Sequence, residues 1–450
     1  MPTAGRTPPD PDETPVAEGD VADVEETPEP EPAPLLTLRD GLPSLIETRP
    51  ALLDYCERLA GGTGPVAIDA ERASGYRYSN RAYLLQLRRD GAGTGLIDPI
   101  AFDSVAPLAK ALEGTEWILH AATQDLPCLA DIGLRPAALF DTELAGRLLG
   151  KPRVGLATLV EEILGERMRK EHSAADWSTR PLPTPWLEYA ALDVEVLLEL
   201  REVMVDELDE AGKTDWASQE FEALLDFKST VREEAWRRTS GAHRLRGRRA
   251  QGAVRALWVA RDLIAQERDI APGRILPDSA IVVAAQAMPS DRAALLSVQG
   301  FHGRGAARYA RDWVAALRAV RDLPENDLPG RAPRTDGPPQ PRAWADRDPV
   351  AARRLVVARV ALTALAEQQH LPVENLLTPD YLRRVLWMPP ETREPADLAD
   401  AVGIQLRGYG ARQWQIDLTT PAIVAATLAA DTAPPETTPD PAELAEAEDP

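Results

Sequence analysis

The chain has 450 residues and a mass of 49.0 kDa, enough for about three domains. Its formal charge of −22 argues against a phosphate polymer as a partner, because phosphates repel an acidic surface. The charge is concentrated at the two ends, however: residues 1–34 carry −9, residues 431–450 carry −7, and the rest of the chain carries only −6.

Further protein classes are disfavoured by what the sequence lacks. Cys56 and Cys128 are the only cysteines, which argues against a disulfide framework and fits a reducing cytoplasm. The chain has no run of about 18 apolar residues and no basic, apolar leader, so we expect neither a membrane span nor a secretion signal. The sequence thus predicts a cytoplasmic protein with no membrane partner, and we expect a monomer.

Three segments interrupt the globular pattern. Residues 1–34 and 431–450 combine acidic residues, proline and threonine with few large apolar residues, which predicts disordered acidic tails. Residues 323–343 are rich in proline, which predicts an extended linker. The linker separates two helical zones, 225–322 and 344–430, which are both rich in alanine, arginine and leucine.

The region before these zones alternates predicted strands and helices. Successive strands are predicted at 65–70, 82–88, 94–99 and 117–120, and helices are predicted at 103–112, 124–131, 156–164 and 186–208. Short turns join the first strands, and alternation of strand and helix follows. This order indicates an α/β fold built on a mixed sheet, followed by the helical zones.

The two helical zones share a weak internal repeat. Arg274-Ile-Leu-Pro-Asp278 in the first zone corresponds to Asn375-Leu-Leu-Thr-Pro-Asp380 in the second. A Gly-x-Gly-Ala segment that leads to arginine follows in each zone. The pattern favours a duplicated helical domain, although chance similarity in an alanine-rich sequence is the alternative.

Acidic residues recur where strands and helices end. Asp69 and Glu71 are two apart in an apolar strand and therefore point to the same face. A divalent cation would compensate this pair, but exposure at the end of the strand is an equal alternative. Asp125 follows the strand that ends at His120, and it is either a crevice residue or a helix cap. Tyr189 and Asp193 are four apart and share an otherwise apolar helix face.

In this order and spacing, the motifs Asp69-x-Glu71, His120-x-x-x-x-Asp125 and Tyr189-x-x-x-Asp193 resemble the tyrosine-bearing branch of the DEDD exonucleases, and more closely the ribonuclease D family. Gln86 in an LLQL strand, Phe140-Asp-Thr142 and the segment 170–182 add to the resemblance, which covers residues 35–215. It implies a ribonuclease H-like fold. Residues 235–317 resemble the HRDC (helicase and ribonuclease D C-terminal) domain, a helical nucleic-acid-binding module, and 344–430 resembles a second, fainter copy.

The resemblance also implies a reaction. Two divalent cations, Mg²⁺ or Mn²⁺, would be held by Asp69, Glu71, Asp125 and Asp193, with Asp69 bridging them and Tyr189 orienting the attacking water. The implied activity is 3′-5′ hydrolysis of RNA 3′ ends, such as those of tRNA precursors, with release of nucleoside 5′-monophosphates. The alternatives are a 3′-5′ exonuclease acting on single-stranded DNA and a non-catalytic RNA-binding scaffold.

Basic residues are candidates for contacts with nucleic acid. Residues 228–255 carry a net charge of +7, which favours a surface for the nucleic-acid backbone over an ordinary solvated helix face. In the nuclease region Lys170 and Arg180 could contact phosphates or form structural salt bridges, and Trp177 could stack on a base or pack in the core. His120 is expected to pack beneath the site. The candidate contacts are Lys170, Arg180, Arg237, Arg238, Arg244, Arg246, Arg248 and Arg249.

Overall fold

A computed structural model describes residues 33–169, 174–229, 233–330 and 337–432. Its sheet has six strands in the order β1-β4-β3-β2-β5-β6. The β2–β3 and β3–β4 pairs are antiparallel, whereas β1–β4, β2–β5 and β5–β6 are parallel. The strands are β1 Leu45–Ile46, β2 Thr63–Arg72, β3 Ala82–Asp90, β4 Gly93–Ile97, β5 Glu116–Leu119 and β6 Ala138–Asp141.

The central strand β2 shows why the sheet places its acids where it does. Val66, Ala67 and Ile68 are all buried, as expected for a strand covered on both faces. Ala67 pairs with Ile118 of β5, and β5 ends at Leu119. The end of β2 that carries Asp69 and Glu71 therefore lies at the carboxyl edge of the sheet, where crevices form in α/β folds.

Eight α-helices accompany the sheet in the described part of the nuclease region. They are α1 Arg49–Gly61, α2 Ala106–Ala111, α3 Leu126–Asp131, α4 Thr142–Leu148, α5 Leu156–Leu159, α6 Thr184–Glu195, α7 Leu197–Glu210 and α8 Thr214–Leu225. A π-helical turn, Val160–Leu164, follows α5 directly. The mixed α/β fold inferred from the sequence is confirmed.

Local predictions were wrong at several places. The single helix expected over 186–208 is two helices, because Val196 adopts φ −107° and ψ −5° between α6 and α7. The helix expected to begin near residue 103 begins at Ala106, where the Ser104 hydroxyl accepts a hydrogen bond from the Ala106 amide. The sequence patterns also missed α1 and the edge strand β6.

The first helical zone has a hydrophobic core of its own, which includes Trp236, Phe301 and Trp313. Leu328 also belongs to this core, so part of the segment expected to be an extended linker packs against the zone. Residues 331–336 of that segment lie outside the described residues. The helices are α9 Arg248–Arg268, α10 Pro272–Ile275, α11 Asp278–Ala287, α12 Arg292–Leu296, α13 Arg304–Arg308 and α14 Ala310–Asp322.

The second helical zone shares one continuous core with the nuclease region. Trp216 of α8 stacks on Trp414, with ring centroids 4.8 Å apart, and the Trp414 indole donates to Glu220. None of the described helices combines the length and the apolarity needed to cross a membrane. The helices of this zone are α15 Trp344–Arg347, α16 Pro349–Gln368, α17 Val373–Leu376, α18 Pro379–Trp387, α19 Pro395–Tyr409 and α20 Gln413–Thr432.

Gly95 of β4 provides a test of the packing between α1 and the sheet. A Cβ atom at Gly95 would lie 2.3 Å from the ring of Tyr55, whose hydroxyl donates to the Leu87 carbonyl at 2.9 Å. We expect Gly95→Ala to lower the free energy of unfolding by about 1–3 kcal/mol, as overpacked cores do. Urea denaturation followed by tryptophan fluorescence measures the change.

The matched control is Gly61→Ala at the end of α1, where a Cβ atom would meet open space. This substitution should leave the denaturation midpoint unchanged or raise it slightly. Equal midpoints for the Gly95→Ala variant and the wild-type protein would contradict the packing described here.

Candidate active site

A cavity of about 260 Å³ opens at the carboxyl edge of the sheet. Strand β2 contributes two acids to it, the segment after β5 contributes one, and α6 contributes an acid and a tyrosine. All five residues singled out from the sequence line this cavity: Asp69, Glu71, Asp125, Tyr189 and Asp193.

The carboxylates do not all lie equally close together. Oxygen atoms of Asp69, Glu71 and Asp193 lie within 4.8 Å of one another, a spacing that could hold a metal ion. Asp125 is outside this group of three, and its Oδ1 lies 3.5 Å from Nε of Arg72. Asp125 precedes α3 without making the side-chain cap that was the alternative for it.

Burial and crowding disfavour charge on every acid of the cavity. Burial raises the pKa of Glu71 to about 10, with further contributions from the charges of Asp69, Asp193 and Asp125. Burial is also the main cause that raises the pKa of Asp69, Asp125 and Asp193. A group that compensates negative charge is therefore needed before all four acids can ionise together.

Tyr189 lies beside Asp193 because α6 places residues i and i+4 on one face. Ala190 and Ala191 are fully buried, and these small side chains let α6 pack closely against β2, β3 and β4. Burial and the charge of Asp193 raise the pKa of Tyr189, whose hydroxyl is hydrogen-bonded to Asp193. The phenol therefore stays protonated near neutral pH and can donate a hydrogen bond.

The segment before Asp125 is held by Asp141, which pattern reasoning did not single out. The Asp141 carboxylate accepts from the amides of Ala121 and Ala122 at 3.1 and 2.8 Å, and it also caps α4. Ala121 has a left-handed φ of 58°, an uncommon conformation that these hydrogen bonds stabilise. The available signal was an acidic residue directly before the helix that starts at Thr142.

His120 also lines the cavity, and its Nδ1 lies 2.9 Å from the Thr142 hydroxyl. Burial lowers the pKa of His120 to about 4, so the imidazole is neutral at physiological pH. Gln86 is paired with Asp69 across the two strands. It is fully buried, and its amide atoms have no hydrogen-bond partner among the described residues.

The donor set fits hard divalent cations. The acidic residues offer carboxylate oxygens, the kind that Mg²⁺ and Mn²⁺ prefer, and the one histidine among the described lining residues faces Thr142. Bound cations would compensate the crowded charges that otherwise raise the pKa of these acids. The cluster therefore suits a metal site built from side chains of β2, α6 and the segment before α3.

The segment that follows Glu71 lies beside the acidic cavity and contacts the first helical zone. Asp269 accepts from the Ser79 amide at 2.8 Å. The Arg274 guanidinium donates to the Gly75 carbonyl at 2.9 Å and lies 4.0 Å from the centre of the Tyr76 ring. Tyr76 lines an adjoining cavity of about 200 Å³. The first helical zone thus supports a wall next to the acidic cavity.

The candidate phosphate contacts of the nuclease region lie in different surroundings. Arg180 binds Asp98 through Nε and Nη2 at 2.7 and 2.8 Å, and it also donates to the Tyr83 carbonyl. Trp177 is fully buried and packs on Trp186, with ring centroids 5.4 Å apart. Lys170 lies outside the described residues. A phosphate contact at Lys170 or Arg180 stays a prediction.

The six candidate arginines of the first helical zone fall into two groups. Arg237, Arg248 and Arg249 bind carbonyls and acids of their own zone, including Glu234 and Glu325. The other three are exposed and form no hydrogen bond or ion pair within the described part of the chain, which leaves their guanidinium groups open to a ligand: Arg238, Arg244 and Arg246.

Family models match three parts of the chain. Residues 43–209 match a model described as "3'-5' exonuclease", and residues 250–317 match the HRDC domain. Residues 337–427, where a second HRDC-like copy was expected, match a model described as "3' to 5' exonuclease C-terminal domain". The HRDC resemblance inferred for the first helical zone is confirmed.

Solved structures share the architecture. A protein from Bifidobacterium adolescentis has a TM-score of 0.80 at 39% identity, over 88% of this chain and 100% of that one. Ribonuclease D from Escherichia coli, described as an exoribonuclease involved in structured RNA processing, has a TM-score of 0.60 at 26% identity. That match covers 82% of this chain and 99% of the Escherichia coli protein.

Curated relatives share the sequence over most of their length. Ribonuclease D from Acidiphilium cryptum is 34% identical over 311 residues, which are 66% of this chain and 77% of the relative. Ribonuclease D from Escherichia coli K12 is 31% identical over 292 residues, which are 63% of this chain and 76% of the relative. The chain therefore belongs to the ribonuclease D family and is a nuclease of the 3′-5′ exonuclease class.

Proposed function

We propose that this chain removes nucleotides from RNA 3′ ends by metal-dependent hydrolysis that releases nucleoside 5′-monophosphates. The observation that carries the proposal is the cavity in which four carboxylates and Tyr189 meet. Asp69, Glu71, Asp125 and Asp193 would hold two Mg²⁺ or Mn²⁺ ions. Exposed 3′ ends, such as those of tRNA precursors, are the proposed substrates.

The chemistry follows from the residues of the cavity. Water adds to the scissile phosphorus as the bond to the 3′ oxygen of the upstream nucleotide breaks, so the phosphate leaves with the released nucleotide. Bound divalent cations supply charge neutralisation for the attacking and leaving oxygens. Tyr189 keeps its proton and, together with Asp193, orients the attacking water through hydrogen bonds.

A direct assay distinguishes RNA from DNA as the preferred substrate. The wild-type protein is incubated with a 5′-labelled single-stranded RNA or its DNA equivalent, with Mg²⁺, Mn²⁺ or a chelator. We expect stepwise shortening of the RNA from its 3′ end only when metal is present. Faster degradation of the DNA would favour the DNA exonuclease alternative, and loss of neither substrate would contradict the proposal.

Asp193→Asn tests the ligand set. Removing groups that merely support metal ligands costs about 10–100-fold in activity, so losing a ligand should lower kcat/KM at least about 100-fold. Without metal, the substitution removes one of four crowded acids and should raise the midpoint of thermal unfolding. Calorimetry with and without Mn²⁺ measures that midpoint, and the increase produced by Mn²⁺ should shrink in the variant.

Tyr189→Phe is the matched comparison on the same helix face. It removes only the hydroxyl, so the stabilisation by Mn²⁺ should persist while kcat falls about 100-fold or more. A kcat equal to that of the wild-type protein would exclude the water-orienting role of Tyr189. Loss of the Mn²⁺ effect would place Tyr189 among the groups that hold the metal.

The exposed arginines of the first helical zone are expected to bind the RNA backbone. Replacing Arg238, Arg244 and Arg246 by glutamine should weaken RNA binding and reduce the slope of log K against log[salt] by about 2, at roughly 0.7 per phosphate contact. The value of kcat at saturating RNA should not change. Fluorescence anisotropy over a series of salt concentrations measures the slope.

The control removes the same charge elsewhere in that zone, through glutamine at the exposed positions Arg292, Arg311 and Arg318. Equal salt slopes for the two triple variants would show that overall charge, rather than the 238–246 surface, attracts the RNA.

A further inference from the structure

Arg72 stands apart from the other residues of the acidic cavity. Among the described residues that line the cavity, it is the one with a cationic side chain. Strict alternation would place Arg72 on the opposite face of β2 from Glu71. The register between β2 and β3 shifts between these two residues, however, and the Arg72 guanidinium reaches Asp125. Such irregularities re-aim side chains near functional sites.

An ion pair holds the Arg72 guanidinium in place, but this pair does not use all of its hydrogen-bond donors. The distance of 3.5 Å from its Nε to Asp125 Oδ1 makes an ion pair without a hydrogen bond, and the side chain is 24% exposed. Within the described ranges, Nη1 and Nη2 donate to no protein group. Arg180, by contrast, donates from Nε, Nη1 and Nη2 to Asp98 and to backbone carbonyls. Arg72 therefore presents an open, planar set of donors of the kind that binds phosphate.

The position of Arg72 between two cavities also suits contact with a substrate. Arg72 lines both the acidic cavity and the adjoining cavity that contains Gly75, Tyr76 and Ala174. A nucleotide whose phosphate lies among the carboxylates can extend into the second cavity past Arg72. The guanidinium thus lies at the boundary that such a nucleotide must cross.

We propose that Arg72 binds the phosphate of the scissile linkage, an inference that rests on the proposed hydrolysis of RNA. Four carboxylates and two divalent cations cancel in charge, so the phosphodiester brings a negative charge that the cluster leaves uncompensated. Arg72 supplies the matching positive charge. Bidentate hydrogen bonds from its free Nη atoms would also fix the orientation of the phosphate.

Arg72→Gln tests the assignment, with Arg81→Gln as the matched control. Arg81 is exposed on the loop before β3 and does not line either cavity. Two pentaribonucleotides are compared in Ca²⁺ by fluorescence anisotropy, one native and one with an uncharged methylphosphonate at the 3′-terminal linkage. The wild-type protein and the Arg81→Gln variant should bind the native RNA more tightly than the methylphosphonate RNA.

In the Arg72→Gln variant this preference should shrink at least threefold, because one partner of the contact is already missing. With Mg²⁺, kcat/KM for RNA should fall about 30-fold or more, as expected when one partner of a buried charge pair is removed. Arg72→Lys should recover part of the loss, because it restores the charge without the planar donors. The increase in unfolding midpoint produced by Mn²⁺ should stay as large as in the wild-type protein.

The outcomes separate this proposal from the one on which it rests. If the wild-type protein shows no metal-dependent degradation, the proposed function fails. If the wild-type protein is active but Arg72→Gln keeps the full preference for the native linkage, Arg72 does not bind the phosphate. If Arg72→Gln instead loses the Mn²⁺ effect, Arg72 acts on the metal cluster, and the phosphate assignment is overturned.

Discussion

Mutual repulsion among Asp69, Glu71, Asp125 and Asp193 is the constraint on which the structure around the cavity depends. Burial disfavours the charged form of each acid and raises its pKa, and neighbouring acids add to the effect at Glu71, Asp125 and Asp193. Acids that repel one another cannot hold their own positions. The scaffold holds them instead, through the pairing of β2 with β3, the close packing of α6, and the amides that Asp141 binds before Asp125.

Buried acids elsewhere in the nuclease region show how unusual this cavity is. Glu195 is 1% exposed and lies 3.2 Å from Arg88, and Asp98 is 3% exposed and is bound by Arg180. Each of these acids lies beside an arginine, and Glu195 also lies 3.9 Å from Arg39, as buried charges require. Among the described residues of the cavity a single arginine faces four acids, a balance that bound cations would complete. This imbalance, rather than acidity itself, distinguishes the site from the structural ion pairs.

Local periodicity explains which parts of the site could be predicted from the sequence. A spacing of two residues in a strand predicted that Asp69 and Glu71 share one face. A spacing of four residues in a helix predicted the same for Tyr189 and Asp193. The break at Val196 was missed because Val196 and Leu197 continue the apolar pattern of the helix, while tertiary contacts such as the pairing of Glu195 with Arg88 hold its end. Arg72 was missed for a related reason, since a shift in strand register has no signature in one sequence.

The two helical zones join the nuclease region through interfaces of different chemistry. The second zone shares a hydrophobic core that includes the Trp216–Trp414 stack, which makes it a permanent part of the fold. The first zone has a separate core and docks through polar groups such as Asp269 and Arg274, as in interfaces that allow relative motion. These polar contacts meet the segment that directly follows Glu71 and Arg72. The contact of Arg274 with Gly75 therefore ties the zone that carries the exposed arginines to the wall of the cavity that adjoins the acidic one.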